Sequence, residues 1–391
     1  MALDPRAGLR AAALVSIAVL GVVSCSPSSN KSTTLRTSSV GGSGKTLKIG
    51  FFGPLSGADT QQGINIRNGE ELAVSQYDAV NPPVKVTLDP FDSQGDSAQA
   101  NNGATKLIND KVVAVIGPAS PGESGVADPI FEQAGIPNVS ASATKTNLAR
   151  NGWKYFHRVL ADDSAQGPAD ADYLVKTLGL KRIVVIDDAS SYAQGLAGSV
   201  RSRAATDGAI VVLNDQIDPR AGDYGRTVDR TVAAKPDAVF FAGYYDAAGR
   251  LVNQLKGKGY FGKFMSGEGS ADPRFLSDAG GAPAEGAFLS CACADTSNQP
   301  EAQPFNAAYL AQFGSAPAVY SAEAYDATNA VLQAIKSGNT TPAAINNYLA
   351  TIDYQGVTKE IKFQSDGNIV GSPIFINKVE NGQIVQIGTS S

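Results

Sequence analysis

From Leu47 onward the chain alternates short apolar runs with longer segments in which apolar side chains recur every three or four positions. Residues 47–52 form a strand-like run, and 64–77 carry Ile64, Ala73, Val74 and Tyr77 among polar residues, as one face of a helix does. Residues 84–88 alternate, 98–108 read as helix and 112–116 as a continuous apolar strand, and 129–133 lead into a run over 136–139. A second series starts after Gly167, with helices over 169–178, 196–205, 224–234 and 247–256 and strands over 182–186, 210–213, 238–241 and 263–265. Unbroken Val/Ile runs separated by helices predict parallel sheets covered on both faces. Two such series predict two doubly wound α/β domains.

The tail departs from this beat. Residues 305–313, 321–335 and 342–349 read as helices, and 361–363 and 374–379 as strands joined by the turn Ser365-Asp366-Gly367-Asn368. In open α/β sheets ligands bind beyond the carboxyl ends of the strands. Chemistry is therefore to be sought in the loops after Phe52, Ile116, Val139, Ile186, Phe241 and Met265.

The N-terminus has a different pattern. Arg6 and Arg10 precede an almost uninterrupted apolar stretch over 11–23, and Ser24 then sits directly before Cys25. Basic, apolar, small-residue order is that of a secretory signal peptide, and the run is short of the ~20 apolar residues a spanning helix needs. Cys25 resembles the lipobox cysteine of bacterial lipoproteins, whose thiol is lipidated, so the expected mature chain is anchored outside the cell membrane. Residues 26–44 are Ser, Thr, Gly and Asn with hardly a large apolar side chain, which predicts a flexible tether with a reach of roughly 25 Å. Gly41-Gly42-Ser43-Gly44-Lys45-Thr46 looks like the end of a phosphate-binding loop. A strand follows it rather than precedes it, and Ser39 stands where the first glycine belongs, so nucleotide binding is rejected.

Composition narrows the rest. The ~345 residues beyond the tether exceed what one core organises, again giving two domains. Lys+Arg 32 against Asp+Glu 37, with no basic cluster, argues against nucleic acid. Cys291 and Cys293 remain after Cys25, and their pairing is left open between a strained disulfide and two free thiols; two ligands do not make a zinc site. The single histidine, His157, lies in a strand-like alternation and reads as structural.

The strand-end loops are of two kinds. Gly53-Pro54-Leu55-Ser56-Gly57, Gly117-Pro118-Ala119-Ser120-Pro121-Gly122-Glu123-Ser124 and Ser140-Ala141-Ser142-Ala143-Thr144 offer hydroxyls and backbone N–H groups. The second series offers Tyr192, Tyr244, Tyr245 and Glu268. Donors on one side, with aromatic faces and a carboxylate on the other, suit a small zwitterion. Catalysis has no constellation behind it: Ser142-Ala143-Thr144-Lys145 lacks its S-D-N and K-T-G partners, and Gly122-Glu123-Ser124-Gly125 falls one residue short of a nucleophile elbow.

These segments resemble the type I periplasmic binding proteins of the leucine/isoleucine/valine-binding kind, receptors for ABC transporters. The resemblance runs from Leu47 to about Gln386. It is carried by residues 49–57, Val115-Ile116-Gly117-Pro118, residues 140–144, Asp163-Ser164-Ala165-Gln166-Gly167-Pro168, Tyr192-Ala193-Gln194-Gly195, Ala242-Gly243-Tyr244 and Gly267-Glu268-Gly269. It implies two doubly wound α/β lobes joined by a three-strand hinge, with crossings near Asp163, Ala292 and Gly371. The implied layout is signal peptide 1–24, tether 25–45, first lobe 46–163 plus 292–371, and second lobe 164–291 plus 372–391. The implied roles place Ser142 and Thr144 on the ligand's α-carboxylate and α-amino groups through hydroxyl and backbone, with Ala143 between them also in the ligand-binding set, and Glu268 on the ammonium. Tyr192 and Tyr244 line the cleft, and Tyr320 the side-chain pocket. Two positions depart from the family: Pro121 replaces a carboxylate-binding serine, leaving Ser120 or the Gly122 N–H to substitute, and Gln62 replaces an aromatic.

The expectation is a monomeric, cofactor-free and metal-free receptor, not an enzyme. It captures an aliphatic or branched-chain amino acid by hinge closure and delivers it to an ABC transporter permease. The alternatives are a receptor for an amide, urea or small carboxylic acid, or a sensing module without transport.

Overall fold

The computed structural model describes residues 45–390 apart from residue 298, so the expectations for Cys25 and the signal segment lie outside the described residues. In the first half, β1 (Lys45–Gly53), α1 (Thr60–Ala79), β2 (Val84–Asp92), α2 (Ala100–Asn109), β3 (Ala114–Ile116), α3 (Pro121–Ala134), β4 (Asn138–Ser140) and β5 (Phe156–Arg158) follow in order. Their strands form a parallel sheet ordered β2-β1-β3-β4-β5. Strand β1 takes in Lys45, which the expected layout gives to the tether.

In the second half come α4 (Asp163–Asp172), β6 (Arg182–Asp187), α5 (Ser191–Thr206), β7 (Ile210–Gln216), α6 (Gly225–Ala234), β8 (Ala238–Ala242), α7 (Tyr245–Gly257), β9 (Lys263–Ser266), α8 (Pro273–Asp278) and β10 (Phe288–Cys291). The chain then supplies α9 (Gln303–Phe313), α10 (Ser321–Lys336), α11 (Pro342–Leu349), β11 (Tyr354–Gln355), β12 (Glu360–Ile361), β13 (Ile374–Glu380) and β14 (Gln383–Ser390). The second sheet is ordered β14-β13-β10-β9-β8-β6-β7, parallel from β10 to β7 and antiparallel at β13 and β14. Fully buried β3 and β8 explain their unbroken apolar sequences: helices cover both faces, so no polar alternation is required. Separate apolar clusters accordingly fill the two faces of each sheet, Ile49, Phe51 and Ile66 against Phe52, Leu107 and Phe131 in the first, Phe241 and Leu251 against Phe240 and Leu196 in the second.

The chain passes between the sheets three times. It leaves β5 through Val159–Asp162 for α4, leaves β10 through Ala292 for α9, which packs on α1, and returns through Gly371 and Ser372 into β13. Beside the second passage Cys291 and Cys293 are joined in a disulfide, with Cα atoms 5.0 Å apart.

Four local readings need correction. Residues 117–124 are not one loop: Ser120 caps α3, Pro121 opens it and Glu123 closes a capping box, a start signal hidden by small-residue composition. Helix α4 begins at Asp163, capped by Asp162, and runs through Pro168, where a proline made a later start seem required. Strand β10 carried no separate sequence signal. The turn at Ser365–Asn368 links only the bridged pair Phe363 and Ile369, whereas β13 pairs with β14 across Asn381-Gly382. Both turn residues have positive φ, 54° and 72°, the conformation a two-residue hairpin of this hand demands.

Candidate functional site

The carboxyl ends of β1, β3 and β4 face those of β6, β8 and β9. Contacts crossing between the two sets fix this relation: Thr144 Oγ1 donates to Glu268 Oε1 at 3.2 Å, Lys145 Nζ to Ser191 Oγ at 2.8 Å, and Tyr245 OH to the Ala58 carbonyl at 2.7 Å. A cavity of about 550 Å³ opens between them, walled by Asp59, Ser120 and Gly122 on one side and Asp188, Tyr192, Tyr244 and Asp246 on the other. A larger cavity of about 620 Å³ lies beside Cys293, walled by Thr296, Leu310, Val319 and Ile384. It contains none of the strand-end residues, so size alone does not select the site.

The third loop of the first lobe is held from below. Arg158, fully buried, donates to the carbonyls of Ala143 (3.2 Å) and Lys145 (2.9 Å), to Asn368 Oδ1 (2.7 Å) and to Asp162 Oδ2 (2.7 Å). The two bonds to carbonyls fix the backbone on both sides of Thr144, whose hydroxyl reaches the second lobe, and the other two anchor the guanidinium itself. Ser140 Oγ donates to the Pro118 carbonyl (2.9 Å) and accepts the N–H groups of Ala143 (3.0 Å) and Ser142 (3.4 Å). Ser142 Oγ donates to the Ala119 carbonyl at 2.6 Å, which also accepts Gln62 Nε2 at 3.1 Å.

Many expected donors are thereby engaged inside the loops. The Ser120 N–H bonds the Glu123 carboxylate (2.9 Å), and Ser120 Oγ accepts the Glu123 N–H (3.3 Å). Of the two substitutes for the missing serine, only the Gly122 N–H stays outside this reciprocal box. Glu123 also places a buried carboxylate in the first turn of α3, which opposes the positive helix end an anion would use. Gly117 shapes the approach: with φ at 120°, a Cβ there would lie 2.4 Å from the Phe52 carbonyl oxygen.

The second lobe is arranged differently. Glu268 follows β9 in a short helical turn, only 2% exposed, and its Oε2 has no hydrogen-bond partner among the described residues. Burial raises its pKa to about 7, although Gln166, Thr144 and Tyr192 lie close enough to favour the charged form. Tyr192 packs over this turn, accepts the Gly269 N–H at 3.2 Å and meets Tyr244 ring to ring at 5.4 Å. Glycine is required at 269 because a Cβ would stand 2.8 Å from both Tyr192 Cε1 and the Gly243 carbonyl. Tyr320, 3% exposed and left-handed at φ 70°, caps α10 on the first-lobe side, and burial, followed by the Glu268 carboxylate, pushes the pKa of its hydroxyl well above the ordinary value.

Two carboxyl groups escaped sequence reasoning. Asp163, at the head of α4, is buried, and burial followed by repulsion from Glu268 raises its pKa to about 8. It stood inside a recognised motif but was read only as a crossing. Asp59 lies on the cavity wall, with a pKa raised to about 7 by burial and then by Asp246, Asp188 and Glu123. Its position two residues beyond Gly57 was the available signal. The cavity lining carries Asp59, Asp188 and Asp246 together with Arg220 and Arg250, whereas Ser142, Thr144, Glu268 and Tyr320 lie buried outside that lining, with Tyr192 joining the Glu268 turn to the cavity wall. Among the described residues no cluster of His, Cys, Asp and Glu is placed to hold a metal ion.

Comparison with known proteins bears on this arrangement. The profile of the periplasmic binding protein family matches residues 46–383. The leucine-specific-binding protein of Salmonella typhimurium is 31% identical over 245 residues, 62% of this chain and 66% of that protein, just under two thirds of its length. The Leu/Ile/Val-binding protein BraC3 of Rhizobium johnstonii is 26% identical over 360 residues, covering 87% of this chain and 93% of the relative. Among solved structures, the branched-chain amino acid transporter substrate-binding protein LivJ of Streptococcus pneumoniae, in complex with isoleucine, superposes with a TM-score of 0.82. It is 29% identical, and the match covers 88% of this chain and all of that one.

Proposed function

Because the chain belongs to the periplasmic binding protein family, as a relative of branched-chain amino acid receptors of ABC transporters, we propose that it captures an aliphatic amino acid between its two lobes and delivers it to a permease. The observation that carries this reading is Glu268: a carboxylate buried at the meeting of the lobes, bonded across the gap by Thr144, with Oε2 lacking a hydrogen-bond partner among the described residues. An α-ammonium seated there binds groups of both lobes at once, and this differential contact favours the closed arrangement. Tyr192, Tyr244 and Tyr320 supply apolar walls for the rest of the ligand. The three passages of the chain, near 163, 292 and 371, serve as the hinge. Cys25 carries the lipid that holds the receptor at the outer face of the cell membrane, with residues 26–44 as its leash. The protein acts by binding and release, without catalysis.

A second reading has an observation of its own. Pro121 offers no N–H, and Glu123 opposes an anion at α3, so the carboxylate end of an amino acid is weakly provided for. An amide or urea needs no such end. Calorimetric titration of the mature protein with leucine, isoleucine, valine, acetamide, urea and propionate separates the readings. Heat from a branched-chain amino acid supports the first; heat from acetamide or urea alone replaces it with the second.

A further inference from the structure

Lys359 lies just before β12, 9% exposed, far along the chain from every residue assigned to the ligand. Its ammonium has three N–H groups. One donates to the Val159 carbonyl (3.1 Å), one to the Ala292 carbonyl (3.4 Å) and one to Ser372 Oγ (3.3 Å). Those three acceptors belong to the three separate passages between the sheets, one to each. A single atom therefore ties together segments distant in sequence at the place about which the lobes must turn.

The surroundings hold Lys359 in that position. Glu323 and Asp326, three apart on one face of α10, are the charges closest in effect and offset part of the burial cost of the ammonium. Glu323 Oε1 accepts the Ala294 N–H at 2.7 Å, two residues beyond the second acceptor. Asp326 accepts the N–H groups of Val357 and Thr358, both at 2.8 Å, and so fixes the backbone leading into Lys359. Tyr320, the residue assigned to the ligand's side-chain pocket, caps helix α10, so that wall and the hinge cluster sit on one rigid element.

We propose that Lys359 is the positioning residue of the hinge: it keeps the three passages in one mutual arrangement, so that the lobes open and close as a concerted pair. The proposal rests on reading the cleft as a ligand trap. Its core, that one ammonium restrains all three passages, holds for the ligand-free protein as well. Loss of the ammonium loosens the passages and leaves each sheet intact. Apparent affinity then falls because the closed, binding-competent arrangement is less populated.

The test compares wild type, Lys359→Met and Ser372→Ala in the mature protein. Without ligand, amide hydrogen exchange at residues 159–162, 292–294 and 371–372 should accelerate about tenfold in Lys359→Met, while β3 and β8 keep their protection. Ser372→Ala removes one acceptor of the three and should shift the same amides in the same direction by a smaller factor. In stopped-flow measurements with leucine, dissociation should quicken severalfold in Lys359→Met. Unchanged exchange at the passages overturns the proposal, as does acceleration spread evenly through both sheets, which marks a merely structural lysine. If Lys359→Met does not fold, exchange at the passages in Ser372→Ala decides: faster supports, unchanged overturns. If wild type fails to bind leucine, the ligand reading is at fault, and the exchange comparison still judges the hinge.

Discussion

The two lobes face one cavity, yet their polar groups are committed differently. On the first-lobe side, Ser142 and Gln62 both donate to the Ala119 carbonyl, Ser140 takes the Ala143 N–H, and Ser120 is locked to Glu123. These hydroxyls and amides mainly build their own loops. On the second-lobe side, Glu268 is buried and among the described residues keeps Oε2 without a hydrogen-bond partner, as Glu123 keeps Oε1 on the first, so the contrast lies in the hydroxyls and amides. A hydrogen bond formed within a loop and one formed with a ligand draw on the same atoms. Residue type therefore states capacity, and only the fold states what is left over. By this comparison the ammonium end dominates binding, and the hydroxyl side acts chiefly by keeping Thr144 in place.

The strongest way to break the comparison is Glu268→Gln, which keeps shape and removes charge. Loss of one partner from a buried ion pair is worth about 3–5 kcal/mol, so leucine affinity should drop by at least about a hundredfold. The ligand-free variant should melt no lower than wild type at pH 8, because a buried charge has been removed. Calorimetry and a thermal melt on the same sample check both. Affinity retained within threefold would falsify the assignment of Glu268 to the ammonium.

A smaller effect comes from pH. Glu268 must be ionised to hold an ammonium, and its pKa in the ligand-free protein is about 7, against a usual 4.5. Leucine affinity should therefore climb as pH rises from 5 to 7, by up to about tenfold per unit, and level off above. Stability of the ligand-free protein runs the opposite way. A carboxyl whose folded pKa is raised binds protons more tightly in the folded state, so its contribution is full below the unfolded value, 4.5 for Glu268 and 3.8 for Asp163, and is lost as pH rises through about 7 and about 8 respectively. Titrations and melts between pH 4.5 and 8.5 give opposite slopes if this is right. An affinity flat across that range removes the titration of Glu268 from the binding step.

The same contrast explains what the sequence could show. The apolar runs of β3 and β8 and the helical periodicity of α7 and α10 follow from burial on known faces, so the doubly wound architecture was legible. Glu268, Thr144 and the tyrosines were legible as chemistry at strand ends. The engagement of Ser120 by Glu123 and of Ser142 by Ala119 was not, since it depends on which carbonyl each loop turns toward. Asp163 and Lys359 were missed for a related reason. A charged residue in a polar stretch looks solvated until tertiary packing buries it, and the three acceptors of Lys359 lie up to 200 residues away.

Ser142→Ala is the finest probe of the comparison, because the resemblance and the geometry assign this residue different work. If its hydroxyl served the ligand, removing it would weaken binding and leave the fold nearly untouched. In the structure that hydroxyl donates to the Ala119 carbonyl at 2.6 Å, and Gln62 supplies the same carbonyl with a second donor at 3.1 Å. Deleting Ser142 Oγ leaves Ala119 still hydrogen-bonded, so no buried group is orphaned and the cost stays near the ~1 kcal/mol of an ordinary hydrogen bond. The expected result is a modest drop in melting temperature with leucine affinity within about threefold of wild type. The reverse outcome, unchanged melting with affinity down tenfold or more, places Ser142 on the ligand. The first-lobe loops would then hold free capacity after all, and the two sides of the cavity would bear on binding alike.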